Sequence, residues 1–183
     1  MEVEVKAICA NLKEPKEILI GKGAKLNEIL HQVDIYYNAP NRDLRLTNEY
    51  LRLRFLQGDK KGVFAYHRNL SDGVTEEKEI GISDLRIFKR ILSALGFRKL
   101  GRIEKRRSTY ELGNYKISLD DVKGIGKFVE VETQCEEKEA LQKRSLCLDL
   151  LESLGIPREK QVHIWLSDIA TGKSKLADLY SLM

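Results

Sequence analysis

Polar and apolar residues alternate in strand-length blocks along most of this chain. MEVEVKA opens it, with Glu2, Glu4 and Lys6 on one parity and Val3, Val5 and Ala7 on the other. In a β-strand successive side chains point to opposite faces, so three charges share one face and three apolar groups the other. Pro15 suits the first turn of a short helix ending near Gly21, and LNEILHQVDIYYN then reads as extended chain. The turn formers in NAPNRDLRLTNE mark a connection. YLRLRFLQ predicts a strand with Arg52 and Arg54 on one face and Leu51, Leu53 and Phe55 on the other. VFAYHR and VTEEKEIGI form a hairpin bracketed by QGDKKG and NLSDG.

The period then changes. In DLRIFKRILSALG, Leu85, Phe88, Leu92 and Leu95 make a helical apolar stripe, with Ser83 expected as its cap and Gly96 as its end. Phe97 to Leu112 predicts a long strand, and YKISLDDV is its partner across Gly113-Asn114. FVEVET is a further alternating strand, and EEKEALQKRSLCLDLLESLG a second helix closed by Gly155, with Pro157 beyond. Residues 158–183 read as a C-terminal extension or docking segment of one domain spanning 1–183. Within it, SKLADLYSLM is expected as a short amphipathic helix that docks on the domain or on a second copy, making a homodimer possible. Strands mostly in hairpins with a few helices between them predict an α+β fold built on a large antiparallel sheet.

Sorting each strand by parity places the charges. The faces opposite the apolar ones carry Glu2, Glu4 and Lys6, then Arg52 and Arg54, Glu77 and Glu79, Lys105 and Arg107, Asp120, and Glu130 and Glu132. One such pair is a solvated face. A succession of acid pairs and base pairs suggests a surface that binds something charged. Composition narrows what that is: 33% of the 183 residues are charged, yet Lys+Arg exceed Asp+Glu by only four. This balance suits an anionic small molecule better than the dense basic stripe of a nucleic-acid groove. Cys9, Cys135 and Cys147 are scattered and not spaced as zinc ligands, which fits a reducing compartment. With an acidic N-terminus and no apolar run of membrane-spanning length, a soluble cytoplasmic protein is expected, with no membrane and no nucleic-acid partner. His31 and His163 stand alone and read as surface or core histidines. Tyr36 and Tyr37 read as packing residues.

The ordered set MEVEVK, QVDIYYNAPNRDL, YLRLR, EEKEI, KRR and ISLDDVKGIGKFVEVE resembles the CYTH family, also called the triphosphate tunnel metalloenzymes. Class IV adenylate cyclases of the CyaB type, thiamine triphosphatases and inorganic triphosphatases belong to it. The resemblance implies a closed or nearly closed eight-stranded antiparallel barrel, open at both ends, with charged faces inward and helices packed outside. It implies a divalent-metal-dependent enzyme acting on a triphosphate-bearing small molecule, with Mg2+ or Mn2+ as hard cations matched to carboxylate oxygens. Glu2, Glu4, Asp120, Glu130 and Glu132 are the implied metal ligands. Lys6, Arg52, Arg54, His67, Lys105 and Arg107 are the implied phosphate contacts, and Glu77 and Glu79 the catalytic acids. His67 stands where the family usually has a lysine. Hydrolysis by water and cyclisation by the substrate's ribose 3′-hydroxyl both remain open, as does a module that binds polyphosphate or nucleotide without turnover.

Overall fold

The computed structural model describes residues 2–71, 74–162, 166–172 and 174–175. Eight strands carry the alternation: β1 (Glu2–Cys9), β2 (Lys25–Asn38), β3 (Glu49–Leu56), β4 (Gly62–Ser71), β5 (Val74–Ile82), β6 (Arg98–Leu112), β7 (Tyr115–Val122) and β8 (Gly126–Gln134). They close into one barrel in the order β1-β5-β4-β3-β2-β6-β7-β8, and every neighbouring pair is antiparallel. Closure leaves no open sheet edge along the paired stretches and gives each strand an inner and an outer face. The seam between β1 and β5 is short, with Glu2 opposite Thr75 and Val3 opposite Val74.

The apolar parities face outward and need cover, which the helices supply. Helices α1 (Lys13–Gly21) and α3 (Ala140–Ser153) lie over β1, β6, β7 and β8. There Leu19, Leu151 and Leu154 pack with Val5, Tyr110, Ile117, Val129 and Val131. Helix α2 (Leu85–Ala94) covers β2 and β3 through Leu85 and Leu92 against Val33, Ile35 and Leu53. Trimming a buried leucine such as Leu151 to alanine costs about 2–5 kcal/mol of stability in such packing.

Three local expectations are revised. Asp84, not Ser83, caps α2: its carboxylate accepts from the Ile87 N–H at 2.9 Å. Leu95, expected in the buried stripe, stands at the C-cap just past the last helical residue and is 61% exposed. The barrel is also not open at both ends. Ile8, Tyr36, Ile103, Val122 and Phe128 fill one end with apolar side chains, and Val162 and Leu166 complete that cluster. Leu166 begins a short helix, α4 (Leu166–Thr171), seated on this end. The start of the C-terminal extension therefore docks on the chain's own barrel. His163 and most of SKLADLYSLM lie outside the described residues, as does the Asp72-Gly73 turn.

Candidate active site

Inside the barrel the polar parities converge on one cavity of about 300 Å3. β1 contributes Glu2, Glu4 and Lys6; β3 Arg52 and Arg54; β4 His67; β5 Glu77 and Glu79; β6 Lys105 and Arg107; β8 Glu130 and Glu132. Twelve of the thirteen site residues expected from the sequence are thus brought together. Glu76 and Lys78, on the opposite parity, pair with each other on the outside at 3.0 Å, and Glu104 faces out toward Arg102 and Lys123. Exposure grades the interior from mouth to floor. The Glu79 side chain is 49% exposed, that of Glu77 28%, and that of Lys6 8%.

The thirteenth residue, Asp120, is fully buried behind the cavity wall. Its oxygens are taken: Arg107 donates through Nε to Oδ1 at 2.7 Å and through Nη2 to Oδ2 at 2.6 Å, and Lys105 Nζ lies 3.0 Å from Oδ2. Instead of standing as a free metal ligand, Asp120 anchors two cations. Glu130 is held in a similar way, by Lys6 Nζ at 2.6 Å and by Arg107. Burial works against the charged form of both carboxylates. The Arg107 and lysine charges outweigh it and hold both below the usual range.

Glu2 and Glu4 behave in the opposite way. Glu4 lies directly opposite Glu132 in the β1–β8 register, and like charges placed so repel. Burial first, then Glu132, Glu4 and Glu77, push the Glu2 carboxyl up to about 7. Burial also raises Glu4, against the counter-pull of Lys6. Glu4 Oε1 is buried and, although Lys6 Nζ is 3.2 Å away, accepts no hydrogen bond. Glu132 is paired with Lys116 Nζ at 2.5 Å. Among the described residues no three His, Cys, Asp or Glu side chains are drawn close enough to hold an ion as they stand. The case for a metal here rests on donor chemistry and charge.

His67 is buried, stacks on Tyr50 at 4.4 Å between ring centroids, and places Nε2 2.9 Å from Glu77 Oε1. Burial lowers its pKa, so at neutral pH it is an uncharged ring where a lysine was expected by resemblance. Glu77 is held down to about 2: burial opposes its charge, but the bond with His67 and the charge of Arg52, whose Nη2 is 2.8 Å away, prevail. Glu79 is raised by burial and by Glu77.

Four contributors were missed. Asp34 grips Arg54, Lys116 lines the cavity beside Glu132, and Tyr36 and Tyr50 form part of its deep wall. Signals existed: Asp34 lies within the quoted QVDIYYN segment, and Lys116 shares the parity of Asp120.

The CYTH domain profile matches residues 1–163. This chain belongs to the CYTH domain family. It is 32% identical over 167 residues to a provisionally named adenylate cyclase of Methanocaldococcus jannaschii, a match covering 87% of this chain and 92% of that protein. A solved Pyrococcus horikoshii protein, PH1819, superposes with a TM-score of 0.84 at 27% identity, over 95% of this chain and 100% of the other. A Hippeastrum protein, described as a candidate adenylyl cyclase with a dominant triphosphatase activity, shares the fold at a TM-score of 0.63. That match is at 22% identity, over 99% of this chain and 96% of its own. In this CYTH barrel, no described helix is long and apolar enough to cross a membrane.

Proposed function

We propose that this CYTH protein is a divalent-metal-dependent enzyme that acts on a triphosphate held inside the barrel. The observation that carries the reading is the charge of the cavity wall. Lys6, Arg52, Arg54, Lys105, Arg107 and Lys116 surround one small space, interleaved with seven carboxylates. Six cations around a tight polar cavity suit an extended polyanion, with the arginines able to grip phosphate oxygens at two points. Seven carboxylates interleaved with six cations leave no net positive charge for such an anion once all are ionised, and an added cation would offset the repulsion.

The hard oxygen donors of Glu2, Glu4 and Glu132 fit that need: two have raised pKa values, and Glu4 has an orphaned buried oxygen. When bound, Mg2+ or Mn2+ supplies charge neutralisation across the phosphate oxygens. The rest falls to the chain. Asp120, Glu130 and Asp34 hold Lys105, Arg107, Lys6 and Arg54 in place, supplying the positioning on which phosphoryl transfer depends. Glu79, with its raised carboxyl at the mouth, is the better proton acceptor of the Glu77 and Glu79 pair.

The same wall serves two outcomes. Attack by water makes a triphosphatase, and attack by a ribose 3′-hydroxyl makes a cyclase that releases pyrophosphate. The M. jannaschii relative carries a cyclase name, and the Hippeastrum protein a triphosphatase description. A second reading, binding without turnover, is favoured by the neutral His67 in place of a lysine. Incubation with ATP, thiamine triphosphate or inorganic triphosphate plus Mg2+ or Mn2+, followed by product separation, tests all three. Cyclic AMP with pyrophosphate identifies a cyclase, free phosphate a hydrolase, and binding without product the module. Absence of both binding and product overturns the reading.

A further inference from the structure

His67 is a neutral ring among the charged side chains of the cavity wall, and its surroundings hold it in one place. The strand register puts Tyr50 of β3 on one side of it and Glu77 of β5 on the other. The imidazole is 3% exposed and stacks on Tyr50 with 11° between the planes, while Tyr50 meets Tyr36 edge-on at 5.9 Å. Its Nε2 lies 2.9 Å from Glu77 Oε1, off the line of an ideal hydrogen bond. Catalytic sites often complete such an alignment only with substrate bound. An Nε2 facing a carboxylate oxygen carries the hydrogen, because a second lone pair there would repel the first. Arg52 Nη2 reaches the same oxygen at 2.8 Å and Glu79 Oε1 at 3.4 Å.

Two donors thus converge on one oxygen of Glu77. Glu79, two residues along the same face and half exposed, has the longer contact with Arg52 and a hydrogen bond with Glu77. The titratable and charged groups facing this pair are Arg52 and Arg54 from β3, His67 from β4 and Glu2 from β1. Such unequal surroundings divide two carboxyls into different roles. Resting on the catalytic reading above, we propose that His67 is a positioning residue: it fixes Glu77 as a standing hydrogen-bond acceptor, so that Glu79 takes the proton of the attacking hydroxyl and holds it against Glu77. As the new O–P bond forms, the hydroxyl O–H breaks and its proton passes to Glu79. The leaving phosphate oxygen departs with the electron pair of its own P–O bond, and the half-exposed mouth returns the proton to water. A lysine at position 67 would set a full positive charge beside both carboxyls and weaken Glu79 as a base. The neutral ring supplies an N–H donor without that charge, so a histidine here has less grip on phosphate and leaves a stronger base.

Carboxyl-carbon NMR of the metal-free protein reads this division directly. Glu77 is expected to titrate below the ordinary glutamate value of 4.5 and Glu79 above it. In His67→Lys the Glu79 titration should fall by roughly 1–3 pH units, the usual effect of an opposite charge nearby. His67→Gln, whose amide keeps a neutral donor, should leave both titrations close to their original positions. The catalytic part is read from kcat against pH with inorganic triphosphate or ATP and Mg2+. The acid limb should move down with Glu79 in His67→Lys and keep its position in His67→Gln. In His67→Lys the plateau kcat and KM should both fall, a split that a merely structural ring would not produce. Glu79 titrating at or below its ordinary value in the unaltered protein, a result that needs no variant to fold, overturns the inference. So does an acid limb that stays put in His67→Lys, and either result leaves the triphosphate reading intact. Absence of product and binding with every triphosphate overturns that reading and this role with it, even where the carboxyl titrations divide as expected.

Discussion

Asp34 and Arg54 face each other across the β2–β3 register, and the guanidinium donates through Nε to Oδ1 at 2.7 Å and through Nη2 to Oδ2 at 2.8 Å. This two-point grip leaves Nη1 of Arg54 as a donor beside the cavity and fixes the plane in which it is presented. Because the pair is largely buried, removing one member strands the other.

Asp34→Ala is expected to destabilise the protein by about 3–5 kcal/mol, the usual cost of leaving a buried partner charge uncompensated. Burial opposes the Asp34 charge, but Arg54 outweighs it and lowers the folded-state pKa. The stabilisation is therefore present above the ordinary aspartate range and lost as pH falls below it. Thermal melts of both proteins from neutral pH into acid check this: the gap between them should shrink as the solution becomes more acid. Arg54→Ala should weaken triphosphate binding more than monophosphate binding, measured by titration with both.

Glu4→Gln and Glu132→Gln are expected to abolish metal-dependent turnover while both proteins stay folded. For Glu4→Gln the melting temperature should hold or rise, because burial already disfavours the Glu4 charge and the amide removes its repulsion with Glu132. Product assays across a Mg2+ or Mn2+ series, with circular dichroism for folding, are the measurement. Unchanged rates in both variants would contradict the assigned roles.

Glu2 titrates near 7 in the folded protein, against an ordinary value of 4.5. A raised carboxyl binds its proton more tightly folded than unfolded, so its contribution to stability is complete below the unfolded pKa and fades as pH rises through about 7. Metal-free protein should therefore lose stability between mildly acid and mildly alkaline pH, and Glu2→Gln should flatten that slope. Metal affinity should rise over the same interval with release of a proton, read by calorimetry in buffers of different ionisation enthalpy.

Lys105 is lowered to about 8, first by burial and then by the neighbouring Arg107 charge, with Asp120 pulling the other way. A triphosphate beside it favours the ammonium form, so binding near this pH should take up a proton and weaken as pH climbs further. Lys105→Met should remove that proton uptake and weaken triphosphate binding by roughly 10–100-fold, the equivalent of one charged hydrogen bond. Retention of the uptake would assign it to another group.

Much of the site was legible before any coordinates. The parity of Glu2, Glu4 and Lys6, of Arg52 and Arg54, and of Glu130 and Glu132 follows from a local rule of period two, and such rules need no knowledge of partners. Asp34 and Lys116 obeyed the same rule and were passed over because neither has a charged residue two positions away, the paired spacing that singled out most of the others.

What the chain by itself determined is a set of two-faced strands, the helices that cover their apolar sides, and membership of a family through an ordered series of motifs. Tertiary structure decided what each charge does. Closure turned the polar faces toward one another, and the register put Glu4 against Glu132 and brought Arg107 to both Asp120 and Glu130. Carboxylates of one chemistry thereby separated into anchors for cations and candidates for a metal. Pairing across strands is a contact between residues far apart in the chain, and no pattern of period two specifies which residue stands opposite which.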